Sequence, residues 1–233
     1  MTDARFPRAA IVLLAAGSGS RVGADRNKVL LQLDGSPVLA HSVRTALEVD
    51  GVHRIVVVVR SGERDEVGAA IAPYLGSHDA WVVDGGRERH DSEYHALRVL
   101  RDDIEGGELD VVAIHDGARP LASAVLFRAV IDAAADWGAA VPGVPSGRLN
   151  TVDGALAPDN LVAVQTPQAF GATTLLAAYD AADADGFSGT DTAACLERYA
   201  DVAVRAVDGE RRNLKITFPD DLRLAEELIA ARD

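Results

Sequence analysis

Short apolar, β-rich runs alternate with helical patterns along nearly the whole chain, and this alternation restricts the fold more than any other feature. The β-rich runs lie at 9–15, 54–60, 80–83, 109–115, 138–144 and 202–207. The helical patterns lie at 37–49, 63–75, 91–103, 122–136, 172–184, 190–200 and 219–231. They predict an α/β, Rossmann-like fold with a mainly parallel sheet, helices on both faces, and ligands bound beyond the carboxyl ends of the strands.

Some helix boundaries also have a local signal. We expect Asp91 or Ser92 to begin the helix that runs through Leu97, because side-chain oxygens cap a helix amino terminus. Pro37 and Pro219 suit first turns, where no backbone N–H is required.

The length of 233 residues predicts a single domain over 1–233. Between 142 and 168 the pattern breaks into Pro, Gly and Asn punctuation around short apolar stretches at 149–152 and 161–164. This segment predicts a projecting β-arm that dimerises with a partner subunit, with a plain surface excursion as the alternative.

Composition excludes several classes of protein. A net charge of -13 argues against a general nucleic-acid surface. The apolar runs are too short to span a membrane and no apolar signal core precedes Ala9, so we expect a cytoplasmic protein. The lone cysteine, Cys195, lies in an apolar helical pattern and is expected to be a buried structural thiol.

Lysine is rare in this chain. Of the 23 basic residues only Lys28 and Lys215 are lysines, so arginine serves wherever a general positive charge suffices. The two lysines are therefore candidates for a specific role, although chance survival on the surface is the alternative.

A Gly-rich segment, Ala15 to Lys28, follows the first β-rich run directly. Such a turn can point successive backbone N–H groups at an anion. A dinucleotide fingerprint would need Gly in place of Val22, and a P-loop would need Gly-Lys-Ser/Thr in place of Ser20, Arg21 and Val22. The segment therefore predicts another kind of phosphate-binding loop, or else a structural turn.

Two later loops hold further candidates. Gly86 and Ser92 lie between a β-rich run and a helix, where backbone amides favour an oxygen-bearing ligand or form an ordinary turn. Asp116 ends another β-rich run and is the metal candidate, with Arg119 placed to bind a phosphate. A carboxylate that only caps the following turn is the alternative for Asp116. His115 is expected to pack or hydrogen-bond without taking part in catalysis.

In order and spacing these segments resemble the 2-C-methyl-D-erythritol 4-phosphate cytidylyltransferase family. The matching segments are 15–19 with Arg21 and Lys28, 84–86 with 91–92, 115–120, 166–168, 190–191 and 213–217.

This resemblance implies a Rossmann-like nucleotidyltransferase and a homodimer joined through the arm. It also implies Mg²⁺-dependent transfer of CMP from CTP to a small phosphorylated polyol, with release of pyrophosphate. Catalytic roles would fall on Arg21, Lys28 and Lys215, and acceptor-phosphate binding on Arg119 and Thr166. Asp116 would meet the ribose and the metal, and the nucleotide would be bound by Ala15, Ala16, Gly17, Ser18, Gly19, Gly86, Ser92, Asp116 and Gly117.

Departures from the family cluster on the acceptor side. Lys28 keeps its cation but has Asn27 and Val29 as neighbours where the family has Pro and Gln. The family's arm motif aligns only with 143–149 and loses its Asp and Thr, and its acceptor-binding Arg falls on Pro158. Arg148 is a candidate substitute.

The departures leave the acceptor open between methylerythritol phosphate and another polyol phosphate such as ribitol 5-phosphate. A catalytically silent nucleotide-binding module is the alternative from another class. A nicotinamide oxidoreductase already fails on Val22.

The residue types suit the chemistry independently of the family. When an acceptor phosphate oxygen attacks the α-phosphorus of a nucleotide, two anions must approach each other, and fixed cations relieve their repulsion. An ionised phosphate needs neither a covalent nucleophile nor a general base, which fits the lack of a convincing catalytic His or carboxylate pair.

Overall fold

The first strand, β1 (Ala9–Leu14), buries both of its faces. Ile11 and Leu13 face one apolar core, whereas Ala10 and Val12 face the other. Strand β4 (Val52–Val59) repeats this pattern with alternate valines. A strand that is apolar on both sides needs a layer of helices on each face of its sheet.

The computed structural model describes residues 6–17, 27–189 and 191–231. Within them the main sheet has the order β10-β7-β9-β6-β1-β4-β5, with β8 paired to β7. Strands β1, β4, β5 and β6 run parallel, β10 runs parallel to β7, and β9 runs antiparallel to both β6 and β7. The remaining strands are β2 (Gln32–Leu33), β3 (Ser36–Pro37), β5 (Trp81–Asp84), β6 (Val111–Asp116), β7 (Ala139–Pro145), β8 (Val162–Val164), β9 (Gln168–Gly171) and β10 (Arg205–Asp208).

Helices cover both faces of the sheet, so the predicted architecture is confirmed. One core forms under α1 (Val38–Leu47), α2 (Arg64–Ile71) and α5 (Ala124–Trp137). The other forms under α3 (Arg89–Val99), α4 (Arg101–Glu105), α6 (Ala172–Asp185) and α7 (Thr192–Tyr199). The last helix, α8 (Pro219–Ala230), packs on a smaller cluster that contains Leu33 and Ile216.

Several helix boundaries differ from expectation. The predicted helix at 91–103 is two helices, α3 and α4, and α3 begins at Arg89. Asp91 does not cap it from outside, because its carboxylate accepts the backbone N–H groups of Arg87 and Glu88 from within the first turn. Pro37 precedes α1, whereas Pro219 occupies the first turn of α8 as predicted.

The segment 142–168 forms a hairpin in part. Its first side is the end of β7, which pairs antiparallel with β8, and an isolated bridge joins Asn150 to Leu156 further out. The antiparallel strand β9, which the sequence did not predict, then returns the chain to the sheet between β6 and β7.

Two further expectations concern burial and length. Cys195 is fully buried on α7, as predicted for a structural thiol, and burial raises its pKa to about 11. In the described part of the chain, no helix combines the length and apolar character needed to cross a bilayer.

Candidate active site

A cavity of about 370 Å³ opens at the carboxyl ends of β1, β5 and β6. Ligands of open α/β sheets bind at this edge because the loops that follow the strands meet there. Predicted residues on its wall are Ala15, Ala16, Gly17, Lys28, Gly86, Ser92, Asp116 and Lys215. Arg87, Glu88 and Arg89 also line it and were not predicted.

The Gly-rich loop is fixed where each of its ends meets the described structure. Arg60 donates a hydrogen bond of 3.0 Å to the carbonyl of Gly17. The buried amide of Asn27 donates to the carbonyl of Ala15 at 2.9 Å and to Glu63 at 2.7 Å. Asn27 was not predicted as a functional residue, yet it anchors the end of the loop directly before Lys28. The predicted residues Ser18, Gly19 and Arg21 lie outside the described residues.

Lys28 begins a 3-10 turn, 28–30, directly after Asn27. Its side chain is only 9% exposed and lies on the cavity wall. Most lysine side chains are solvent-exposed, whereas this one is nearly buried and faces the cavity. The structure therefore favours a specific role for this lysine over chance survival.

The second loop needs glycine for close packing. A Cβ at Gly86 would lie 2.1 Å from Asp91 Cβ, and one at Gly85 would lie 2.7 Å from Ser92 Oγ. The Gly86 N–H donates to Ser92 Oγ at 3.1 Å, and that hydroxyl donates to the carbonyl of Glu88 at 3.0 Å. The loop is thus folded tightly onto the first turn of α3, with Gly86 and Ser92 both on the cavity wall.

Asp116 is the electrostatic centre of the site. Its carboxylate lies 2.5 Å from Arg89 Nη1, 2.7 Å from Lys215 Nζ and 3.5 Å from Arg119 Nε. It is only 6% exposed, and burial alone would raise its pKa. Attraction to Arg89 and Lys215 outweighs burial and holds the pKa of Asp116 well below its usual range. Asp116 is therefore an ionised anion among cations.

Lys215 is brought to Asp116 by a loop that is packed deep in the protein. Asn213 is completely buried and donates from its amide to the carbonyl of Thr166 at 2.8 Å. The Ile216 N–H donates to the carbonyl of Ala118, also at 2.8 Å. Gln165 adds a 2.8 Å bond to the carbonyl of Glu210. The chain's two lysines, far apart in sequence, therefore line one cavity.

His115 and Thr166 form a buried hydrogen-bonded chain beside Asp116. Burial lowers the pKa of His115 to about 4, so the ring is neutral near pH 7. Its Nε2 lies 3.1 Å from the carbonyl of Arg119, which can only accept, so Nε2 carries the proton and Nδ1 accepts from Thr166 Oγ1. Thr166 Oγ1 in turn accepts from the Asp116 N–H at 3.0 Å. His115 packs and hydrogen-bonds, as expected.

The predicted acceptor residues lie at the side of this cavity. Arg119 donates to the carbonyl of Asn213 at 2.8 Å, and burial lowers its pKa. Arg119, Gly117 and Thr166 are close to Asp116 in the fold but are not part of the cavity wall. A Cβ at Gly117 would lie 2.8 Å from Leu39 and 3.1 Å from the carbonyl of Leu14, which explains the glycine by packing.

Carboxylates are sparse around the cavity. Among residues 6–17, 27–189 and 191–231, no three His, Cys, Asp or Glu side chains come together as a metal site. A Mg²⁺ ion held by one carboxylate would take its other ligands from substrate phosphates and water, which is common for this ion. Asp116 suits that arrangement because it is ionised and lines the cavity.

A mainly parallel sheet covered on both faces, with a Gly-rich loop, an aspartate and two lysines at its carboxyl edge, defines a Rossmann-like nucleotidyltransferase. The chain matches the family model for IspD, 2-C-methyl-D-erythritol 4-phosphate cytidylyltransferase, over residues 9–231. It therefore belongs to the 2-C-methyl-D-erythritol 4-phosphate cytidylyltransferase family.

Individual relatives match this chain over nearly their whole length. The 2-C-methyl-D-erythritol 4-phosphate cytidylyltransferase of Geobacillus kaustophilus is 36% identical over 227 residues, which cover 95% of this chain and 96% of the relative. That of Pelotomaculum thermopropionicum is 38% identical over 233 residues, covering 97% and 95%. The crystal structure of 4-diphosphocytidyl-2C-methyl-D-erythritol synthase from Anaerococcus prevotii superimposes with a TM-score of 0.80 at 28% identity, covering 98% of this chain and 97% of that one.

Proposed function

We propose that this chain transfers CMP from CTP to 2-C-methyl-D-erythritol 4-phosphate, with release of pyrophosphate, in isoprenoid biosynthesis. One observation carries the assignment of the catalytic centre. The only two lysines in the chain line the same cavity as the Gly-rich loop and Asp116. Family membership supplies the reaction, and the cavity supplies the residues for it.

Lys28 and Lys215 stabilise the reacting phosphate. An acceptor phosphate oxygen forms a bond to the α-phosphorus as the bond from that phosphorus to the β-phosphate oxygen breaks, so pyrophosphate leaves with the electron pair. Negative charge crowds at the α-phosphate during this exchange, and fixed ammonium groups lower its energy. Arg21, in the loop between the described ends, is proposed to act with them.

The nucleotide is bound by the loops that wall the cavity. Ala15, Ala16 and Gly17 approach the triphosphate together with Ser18 and Gly19, and Gly86 and Ser92 line the same cavity. Asp116, with Gly117 beside it, binds the ribose. A silent nucleotide-binding module would not need both lysines on this wall.

Mg²⁺ is proposed as the cofactor, with Asp116 as its protein ligand. When bound, the ion would supply positive charge that triphosphate oxygens share. Arg89 and Lys215 keep Asp116 ionised, so its oxygens can serve as ligands of the ion across the neutral pH range.

The acceptor phosphate is proposed to meet Arg119 and Thr166. Both contact Asp116, which lines the cavity. The arm contributes one further cation, because Arg148 is the only basic residue in 142–168. We assign it to the acceptor as a substitute for the arginine that Pro158 replaces.

A homodimer joined through the arm is the proposed assembly. The arm exposes large apolar side chains that a second subunit would cover, namely Leu149, Val152, Leu156, Leu161, Val162 and Val164. A cytoplasmic location is also proposed for this enzyme.

An acceptor screen tests the reaction. Purified protein is incubated with CTP, Mg²⁺ and either 2-C-methyl-D-erythritol 4-phosphate or ribitol 5-phosphate, and pyrophosphate release is measured. We expect turnover with the first acceptor and little with the second, and with ATP, GTP or UTP in place of CTP. Turnover confined to ribitol 5-phosphate would replace the proposed acceptor, and no turnover with either would defeat the proposal.

A further inference from the structure

A buried carboxylate behind the cavity has no role in the reaction described so far. Glu93 on α3 is only 1% exposed and does not line the cavity. Its Oε1 accepts from Thr192 Oγ1 at 2.9 Å, and its Oε2 accepts from the hydroxyl of Tyr179. Three elements, α3, α6 and α7, therefore converge on this one side chain.

The same carboxylate is paired with a cation that does reach the cavity. Arg89 is four residues before Glu93, on the same face of α3, and its Nε lies 2.8 Å from Glu93 Oε1. Arg89 Nη1 lies 2.5 Å from Asp116 Oδ1. The guanidinium is thus held between two carboxylates, one inside the protein and one at the site.

A purely structural role does not explain the arrangement well. Burying an ion pair costs much of what its attraction returns, and apolar residues of similar volume usually fill such positions at no loss of stability. The core under α3, α6 and α7 is built mainly from apolar side chains such as Ala96, Leu97 and Leu196. The charge of Glu93 therefore has its effect through Arg89, and Arg89 contacts Asp116.

We infer that Glu93 is a positioning residue for nucleotide binding, because through Arg89 it fixes the carboxylate of Asp116. This inference rests on the proposed function, in which Asp116 meets the ribose of CTP and the divalent ion. Without Glu93, Arg89 keeps a single anionic partner and is no longer oriented from behind. Asp116 then loses the fixed donor that sets the direction of its Oδ1.

Glu93→Gln tests the inference, since it removes the charge and keeps the shape. We expect the KM for CTP to rise about tenfold, and the Kd for CTP, measured by calorimetry without acceptor, to rise by the same factor. A loss of about this size is typical when the outer-shell partner of a metal ligand is mutated. The KM for the acceptor stays at the parent value. This split between the two substrates is a result that general loss of stability would not produce.

Tyr179→Phe is the matched control. It removes the hydrogen bond to Oε2 but leaves the carboxylate facing Arg89, so we expect a lower Tm with CTP parameters within twofold of the parent. A folded Glu93→Gln protein with parental KM and Kd for CTP would overturn the inference. So would a Tyr179→Phe protein that shows the same rise in KM at a similar loss of Tm.

A double variant tests whether Glu93 acts through Arg89. Glu93→Gln combined with Arg89→Met should bind CTP no more weakly than Arg89→Met alone, whereas additive losses would refute the route through Arg89. If Glu93→Gln does not fold, Glu93→Asp serves in its place, because it withdraws the carboxylate by one methylene and keeps the charge. Absence of turnover in the parent would defeat the proposed function, while CTP binding would still decide the role of Glu93.

Discussion

The nucleotide side of the cleft and the arm are stabilised in opposite ways. Around Asp116, which is buried, the half-buried cations Arg89, Lys215 and Arg119 all contact one carboxylate. Along the arm, valines and leucines remain exposed, and beyond β7 and β8 a single isolated bridge joins Asn150 to Leu156. The side chains around Asp116 find their partners within the chain, whereas the apolar side chains of the arm stay exposed.

This contrast separates two halves of the reaction. The nucleotide side matches the family's motifs, and within the described residues Arg89, Lys215 and Arg119 of one chain meet at Asp116. The arm departs from the family's motif, as at Pro158, and presents the surface that a partner subunit would cover. Changes on the first side should therefore act on chemistry and CTP, whereas changes on the arm should act on assembly and the acceptor.

Lys28→Ala should produce the largest effect, because it removes a cation from the proposed catalytic centre. We expect kcat to fall about 10³-fold, the loss typical when one fixed group that stabilises transition-state charge is removed. Pyrophosphate release measures it, with Arg223→Ala on the exposed face of α8 as a control that keeps parental kcat. A Lys28→Ala enzyme with more than a tenth of the parental kcat would contradict the catalytic assignment.

The buried chain at His115 should make the nucleotide side sensitive to acid. In the folded protein the pKa of His115 is about 4, below the ordinary value of 6.5. Between these two pH values His115 therefore binds a proton in the unfolded chain but not in the folded one. The free energy of unfolding should therefore fall as the pH drops, by about 2 kcal/mol from pH 7 to pH 5 through this group alone.

Urea unfolding at the two pH values measures this change in the parent and in His115→Gln, which cannot titrate. The variant should show a pH dependence smaller by about that amount. Equal dependence in both proteins would show that His115 is not held neutral, and that the site is less firmly organised than its buried bonds indicate.

Val164→Asp tests whether the arm needs a partner. A charge at the centre of an apolar contact should weaken the proposed dimer by about 30-fold or more. Light scattering should then give a mass near the 24.5 kDa of one chain at concentrations where the parent shows about twice that value. Val125→Asp, at an exposed valine on α5, is the matched control and should leave the dimer intact. A monomeric parent would refute the dimer itself.

Arg148→Ala should produce the smallest effect, confined to the acceptor. Loss of one exposed, charge-assisted contact should raise the KM for methylerythritol phosphate about fivefold, with KM for CTP unchanged. Initial rates over a range of both substrates measure it. An unchanged acceptor KM would leave Arg119 and Thr166 as the residues proposed for that phosphate.

Much of the fold and part of the site followed from local patterns. Apolar runs such as Ile55 to Val59 specify buried strands by themselves, and the residues after β1, β5 and β6 had to meet at one edge of the sheet. Lys28 and Lys215 could be singled out because composition made them rare.

What could not be predicted depends on packing between distant segments. Glu93 looks like any helical surface acid until Tyr179 and Thr192, 86 and 99 residues away, close over it. Strand β9 is short and follows Pro167, so only its pairing with β6 and β7 defines it. Helix α3 begins before Asp91, whose carboxylate accepts from the backbone N–H groups of the preceding Arg87 and Glu88. A rule that places Asp at the first, capping position does not predict this earlier start.

The anchoring of the Gly-rich loop has a consequence for how this enzyme could be re-engineered. Arg60, which donates to Gly17, and Glu63, which accepts from Asn27, lie just before α2, and their side chains are 3.4 Å apart. Gly17 and Asn27, at the two ends of the loop, are thus both anchored to the short segment 60–63. We therefore expect that a relative's residues could replace those between Gly17 and Asn27 without disturbing these two anchoring contacts, and that such an exchange would test the proposed triphosphate recognition.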